Sequence, residues 1–307
     1  MRNLPVSTEI TGYGVSTLVY LHSITRDSRY LERAAAGARF LTSAWDPELC
    51  SLPFELSPPL LSYFFDCGIV VRALLSAWRA TGQAEFLDVA GALGKSMAAD
   101  FASRNGHLHP VLSLPGKHPV ECDRARWSLS PGCYQLKPAM AWWDLWEATG
   151  DARFCELYQH TLEECLRNFD GFLPGHSDRL KVMDRAHAYL YFLEGLLPRA
   201  AEKRCSQALR QGIRSAATHL RDIAPEFDRS DVYAQLLRIR WYHGAAGAAD
   251  RLLEFACEST DARVDGGFYF GRSGAVWEPH VTPVATAFAI EALALAGGAA
   301  PERERLI

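Results

Sequence analysis

The sequence predicts an all-α protein, an α/α barrel of helical hairpins with six inner helices and about five outer ones. Three observations carry this. One turn is written three times, as TRDSRYL (25–31), TGQAEFL (81–87) and TGDARFC (149–155), each time after an apolar helix and before a more charged one. A second landmark recurs after the charged helices, as NGHLHP (105–110), DGFLPG (170–175) and DGGFYFG (265–271). Between these landmarks the helices alternate in charge. Repetition of one supersecondary unit is the mark of a helical array.

The elements follow in order. Helices near 12–24, 67–80, 138–149 and 187–197 carry zero, two, two and one charged residues. Their partners near 28–44, 83–100, 151–168 and 199–222 carry four, four, six and eight. Low charge fits a helix buried on most sides, and high charge fits one with a wet face. A fifth pair is expected near 231–244 and 246–257, and a last inner helix near 281–296. Asp27, Gly82 and Asp151 supply turn and N-cap chemistry in the repeated turn. In the second landmark Gly ends the helix, and the apolar residues after it suggest a short strand or an ordered loop.

The totals bound the function. The chain has 307 residues, 49% hydrophobic and 22% charged, which suits one globular barrel domain over 1–307. A net charge of −4 with no block of like charges points away from nucleic acid and from anionic membranes. The eight cysteines (50, 67, 122, 133, 155, 165, 205, 257) are scattered, with no CxxC pair. The opening MRNLPVSTEITGYG lacks the pattern of a signal peptide. A cytoplasmic protein with reduced thiols is expected. The most apolar tract, VTPVATAFAIEALALAGGAA (281–300), contains Glu291 and a proline, so it reads as a buried helix rather than a membrane span.

The recurring TGD-x-R-aromatic turn, the DGGF loop and the FFDCG helix start (64–68) resemble the six-hairpin glycosidase superfamily. That group includes the unsaturated glucuronyl hydrolases and, by fold, the N-acylglucosamine 2-epimerases. The resemblance implies a carbohydrate-active enzyme without a cofactor. Only PERERLI (301–307) follows the last inner helix, so the sixth outer helix is expected to be missing. A homo-oligomer could then cover that edge of the ring.

In this architecture the inner helices start at one mouth of the barrel, where unpaired N–H groups and helix dipoles favour anions such as a uronate or a sugar phosphate. The segments entering those helices carry Glu9, Asp66, Asp184, Asp231 and Glu278, with Tyr13, Tyr63, Phe64, Trp127, Tyr134, Tyr233 and Trp277 alongside. Carboxylates among flat rings suit a sugar, because rings stack on pyranose C–H faces and acids bind hydroxyls or carry protons. Asp66, Asp184 and Asp231 could equally be helix caps, and Glu9 and Glu278 first-turn acids.

Asp66 matches the position where the glucuronyl hydrolases place an acid ahead of an inner helix, with Phe-Asp-Cys-Gly in place of the Trp-Asp-x-Gly style. Asp184 would be its partner, His187 a second proton carrier and Arg185 a clamp on a substrate carboxylate. Trp127, Tyr233 and Trp277 would line the sugar subsites, with Glu9, Tyr13, Asp231 and Glu278 as further contacts. His187 and His280 resemble the histidine pair of the epimerase branch, in which one histidine removes a proton beside the carbonyl of an opened sugar and the other returns it. Glu194 shares the His187 helix face, and a structural salt bridge to Arg72 or Arg238 is expected for it. Zinc-type ligands crowd the 105–133 loop (His107, His109, His118, Cys122, Cys133), yet their spacing matches no standard site and no metal is expected.

The sequence thus predicts hydrolysis of a glycosidic or unsaturated uronyl bond in a mono- or oligosaccharide, a uronate-bearing one among the candidates. Sugar epimerisation by His187 and His280 is the alternative, and a non-catalytic barrel that binds a glycan or a protein is a third.

Overall fold

A computed structural model describes residues 6–103, 106–243, 249–278 and 280–299. It divides into two compact units, residues 1–164 and 165–307, with the boundary inside a helix.

The first unit is built from helical hairpins. Helix α1 (Thr8–Thr25) starts at Ser7, whose Oγ accepts from the Ile10 amide at 3.3 Å. It ends at Arg26 in the left-handed region (φ 62°), and α2 (Ser28–Ala44) starts at once, capped by the Asp27 carboxylate on the Arg29 amide at 2.9 Å. The same turn recurs where α3 (Phe64–Thr81) passes into α4 (Ala84–Asp100) through Gly82 (φ 71°). It recurs again where α5 (Leu136–Thr149) passes into α6 (Ala152–Asn168) through Gly150 (φ 72°). There Asp151 caps the Arg153 amide at 3.1 Å. Glycine takes this backbone conformation without steric cost, and Arg26 shows that the turn itself is retained without one.

The difference between the layers is visible in burial. From Phe64 to Leu75 every residue of α3 is buried, whereas α2 buries the single stripe Ala34, Ala35, Ala38, Leu41 and Ala44. Helices α3 and α5 pack closely, and a Cβ on Gly68 would lie 2.4 Å from Pro138 Cβ. Arg72 of α3 bonds Asp144 of α5 at 2.9 Å in this packed layer. A small antiparallel sheet of β1 (Leu61–Tyr63), β2 (Val111–Ser113) and β3 (His118–Pro119) sits ahead of α3, and β1 runs directly into that helix.

The second unit repeats the plan. Helix α7 (Arg179–Gly195) is buried continuously from Ala186 to Gly195, while α8 (Lys203–Ile223) buries Cys205, Ala208, Leu209, Gly212, Ile213, Ala216, Leu220 and Ile223 on one face. Strand β4 (Phe227–Arg229) runs straight into α9 (Ser230–Tyr242), and pairs antiparallel with β5 (Gly271–Ser273), which pairs with β6 (Val276–Trp277). Helix α11 (Pro283–Ala296) is capped by Thr282 Oγ1 on the Ala285 amide at 3.1 Å. Glu194 bonds Arg238, as one of the two expected pairings had it, and Arg238 also bonds Glu291 at 2.6 Å. All three are fully buried.

Two elements differ from the sequence reading. Helix α7 begins eight residues before His187, with Asp178 as its cap on the Leu180 amide at 2.9 Å. Asp184 therefore lies inside the helix and caps nothing. The polar run RLKVMDR continues the helix because its residues are adequate helix formers with no break among them. Of the fifth outer helix, expected over 246–257, residues 246–248 lie outside the described residues, and the rest holds the single turn α10 (Asp250–Leu253). Beyond it the backbone is taken up by the DGGFYFG loop, as the Cys257 amide bonds Gly267 O at 2.7 Å and the Tyr269 amide bonds Phe255 O at 2.9 Å. The expectation for PERERLI falls outside the described residues. Among those described, no helix is long and apolar enough to cross a membrane.

Candidate functional site

In the second unit the chain gathers an ion-paired cluster where β4 enters α9. Arg229, the last residue of β4, grips Asp231 with both arms, Nε on Oδ1 at 3.0 Å and Nη2 on Oδ2 at 2.6 Å. Its third nitrogen, Nη1, bonds Asp184 Oδ1 on α7 at 2.8 Å. Asp231 also accepts the Val232 amide at 2.8 Å. His187 closes the group, with Nδ1 2.8 Å from Gln235 Oε1 and 3.3 Å from Asp231 Oδ2. Its ring meets Tyr191 edge-on, with centroids 4.6 Å apart. His187, Arg229, Asp231 and Gln235 are all buried, while Asp184 is half exposed.

The charges explain one another. Burial alone would push the Asp231 carboxyl up, but the Arg229 guanidinium, helped by His187 and the hydrogen bonds, holds its pKa below the ordinary value. Burial likewise works against the charge of Arg229, and Asp231 and Asp184 outweigh it, so its pKa rises. His187 responds the other way. Burial is the largest influence on it and lowers its pKa, which keeps the imidazole neutral at neutral pH. A neutral buried imidazole beside a fixed carboxylate is suited to accept a proton.

His280 reaches the same cluster through a ring. It lies exposed ahead of α11 rather than on it, stacked on Phe270 with centroids 5.0 Å apart and planes 20° from parallel. Arg229 lies against that Phe270 ring at 4.5 Å. Three more expected site residues are nearby in the fold. Trp277 stacks on Tyr269 at 5.5 Å and meets Phe255 at 5.3 Å, and Tyr233 meets the same Phe255 at 5.7 Å. Glu278 accepts the Ser273 hydroxyl at 2.9 Å. Arg185 donates to Phe172 O at 3.0 and 2.8 Å and lies over the Phe172 ring at 4.2 Å. A Cβ on Gly175 would fall 2.4 Å from its Nε, so Arg185 packs closely against the 172–175 loop.

The first unit gathers a second group. Glu9 stands in the first turn of α1 and Asp66 in the first turn of α3. Asp66 is buried, is not the helix cap, and its Oδ2 has no hydrogen-bond partner among the described residues. Burial pushes the Glu9 carboxyl up to about 7. Burial, then the charge of Glu9, raises that of Asp66 well above its ordinary value. Two neighbouring acids short of water cannot both ionise readily. Tyr13 is buried, and Trp127 meets Phe65 at 6.3 Å and Tyr134 at 5.0 Å.

This pair has a consequence for stability. The folded chain holds protons that the unfolded chain would release, so stability is expected to fall as pH rises from 4.5 through about 7. Asp66→Asn removes one acid and the repulsion it exerts, so the thermal midpoint should decline less over that window. An equal or steeper decline in the variant would remove Asp66 as a cause and leave the buried Glu9 alone to account for it.

The histidines and cysteines of the 105–133 loop are dispersed. His107 lies 3.7 Å from Glu164, His118 is exposed on β3, the Cys122 thiol bonds Ser130, and Cys133 is buried. His109 is half-buried, with its amide on Phe101 O. Among the described residues no three His, Cys, Asp or Glu side chains are grouped as a metal ion would need.

No family model matches this chain, and no curated protein matches it in sequence. Solved structures match it in shape. The cellobiose 2-epimerase of Spirochaeta thermophila superposes with a TM-score of 0.69 at 14% identity, over 95% of this chain and 86% of that one. A D-mannose isomerase gives 0.67 at 11% identity, over 94% and 86%. The GH76 α-mannanase of Bacteroides thetaiotaomicron gives 0.54 at 12% identity, over 95% and 70%. The fold is that of the six-hairpin glycosidase-like α/α barrels. The barrel expected from the repeated turn is the fold of this chain, and the inner-layer helices α7, α9 and α11 are the ones that carry or follow the His187 and His280 cluster.

Three members of the cluster were absent from the sequence reading. Arg229, Gln235 and Phe270 carry its contacts. The signal for Gln235 was its spacing, one helical turn beyond Asp231. The signal for Arg229 was the DRSD run at the entry to a helix, and Phe270 lay inside the DGGFYFG landmark.

Proposed function

We propose that this protein is a carbohydrate-active enzyme that moves a proton at the carbon beside the carbonyl of an open-chain sugar, an epimerase or isomerase. The observation that carries this is the His187 arrangement: a buried neutral imidazole held between Gln235 and an Arg229-paired Asp231. His187 takes the C–H proton, and the electron pair moves onto the carbonyl oxygen as an enediolate. His280, in contact with the same cluster through Phe270, delivers a proton to the opposite face. The chemistry needs no redox partner, because the sugar gains and loses only protons. Tyr233 and Trp277 offer ring faces for the pyranose. The match of fold to a cellobiose 2-epimerase and a D-mannose isomerase supports the reading. No disulfide joins any of the eight cysteines, which supports a reducing compartment such as the cytoplasm.

Incubation in deuterated water with glucose, mannose and cellobiose tests it. Deuterium should enter the carbon beside the carbonyl of at least one sugar, with the epimer or ketose appearing. No uptake in any of them, together with new reducing ends released from oligosaccharides, would overturn the proposal in favour of hydrolysis. One observation favours that second reading: burial, then the charge of Glu9, raises the Asp66 carboxyl well above its ordinary value, the direction a general acid for a glycosidic oxygen needs.

A further inference from the structure

We propose that Gln235 is a positioning residue that holds the His187 ring as its Nδ1–H tautomer, so that Nε2 keeps the lone pair that takes the sugar proton. This rests on the reading of His187 as the proton acceptor, and it names the atom and the residue that prepares it.

Two oxygens face His187 Nδ1: Gln235 Oε1 at 2.8 Å and Asp231 Oδ2 at 3.3 Å. Turning the Gln235 amide over would present its NH2 to Nδ1 and place the ring lone pair there. That lone pair would then face a carboxylate held ionised by Arg229, which is repulsive. Asp231 cannot swing aside to relieve it, because both its oxygens are gripped by Arg229 and Oδ1 also takes the Val232 amide. Arg229 is fixed in turn by Asp184 and by the Phe270 ring. The proton therefore sits on Nδ1, donated at short range to Gln235 and at longer range to Asp231. An isolated imidazole prefers the Nε2–H form, so the protein inverts the preference.

The choice of an amide is chemical. Gln235 is fully buried and one helical turn beyond Asp231. It accepts a hydrogen bond without adding charge. A glutamate there would be a second carboxylate on Nδ1 and would hold the ring as imidazolium, an acid rather than a base. Among the described residues, the charged and titratable groups acting on the ring include Asp231 and Arg229 from the β4–α9 segment, and Asp184 and Tyr191 from its own helix.

The test reads the ring directly. Two-bond proton–nitrogen spectra of uniformly nitrogen-15-labelled protein would be recorded, with His187 identified among the ten histidines by its absence in His187→Gln. At neutral pH the wild type should show a protonated Nδ1 and a pyridine-type Nε2. In Gln235→Glu the ring should titrate higher by about one unit or more, and the pH dependence of sugar deuterium uptake should move up with it. A wild-type ring protonated on Nε2, or a His187 titration unmoved by Gln235→Glu, would overturn the assignment. Should that variant not fold, the wild-type spectrum alone decides. An Nδ1–H ring in a protein that exchanges no sugar hydrogen would sink the enzymatic reading and leave the tautomer standing. An Nε2–H ring in a protein that exchanges fully would do the reverse.

Discussion

His187→Gln is expected to lower deuterium uptake into the sugar by roughly 100- to 10,000-fold, the range that a positioned acid–base group supplies. Its thermal midpoint should stay within a few degrees of wild type. Glutamine can still donate to Gln235 Oε1, so no buried polar group is stranded, and the main loss is the ring contact with Tyr191, worth about 1 kcal/mol. His280→Gln should behave differently. His280 is exposed and its substitution should leave stability unchanged. For a sugar whose proton faces His187, abstraction continues and deuterium still enters, while delivery to the other face stops. Exchange without epimer is the expected signature of His280→Gln, and loss of both is that of His187→Gln. Equal loss of exchange in the two variants would refute this division of labour, and full exchange in His187→Gln would remove it from the chemistry.

The hairpin architecture was legible because it rests on local, repeated signals. The TGD turn fixes where an inner helix stops and an outer one starts, and the structure places Arg26, Gly82 and Gly150 in the same left-handed conformation at those points. The contrast in charge between layers was legible for the same reason, since burial of a whole helix surface leaves few positions for charge. Boundaries were misread where the cue was charge alone. DRAH looks like a helix start, yet no break precedes it until Asp178 supplies the cap. The outer helix expected at 246–257 gives way to α10 because non-local pairing with the 265–271 loop takes its backbone, and no local pattern announces that.

The candidate site divides along similar lines. Asp231 was readable as an acid at a helix entry, and Asp184 and His187 as polar residues ahead of a buried stretch. What could not be read was which of them meet. Arg229 joins Asp184 and Asp231 across 45 and 2 residues of sequence, and only the packing of α7 against α9 makes that junction. Arg185 shows the converse. A charged residue beside candidate acids suggested a clamp, and the contact with the Phe172 carbonyl made by its Nε and Nη2 had no signal in the sequence.

Arg238→Met is expected to be the most destabilising single change in the second unit. Arg238 lies on α9 between Glu194 of α7 and Glu291 of α11, with no part of the three side chains exposed, and its guanidinium also lies 4.1 Å from the Phe288 ring. Methionine fills much of the same space but removes the buried cation that both carboxylates meet. Removing one partner of a buried ion pair costs about 3–5 kcal/mol, and here one substitution takes the shared cation from two acids. For a compact unit of this size the thermal midpoint should drop by on the order of 10 °C. Glu194→Gln should cost far less, because the amide oxygen still accepts from Arg238 and Glu291 still balances its charge. The triple variant Arg238→Met, Glu194→Leu, Glu291→Leu separates charge from shape. With no ion left to desolvate, it should recover most of the lost stability, since apolar groups of similar volume commonly replace buried ion clusters without loss. If the triple variant melts as low as Arg238→Met, the network contributes through its shape and its contact with Phe288, and the balance of charge at the centre of α7, α9 and α11 is not what holds them.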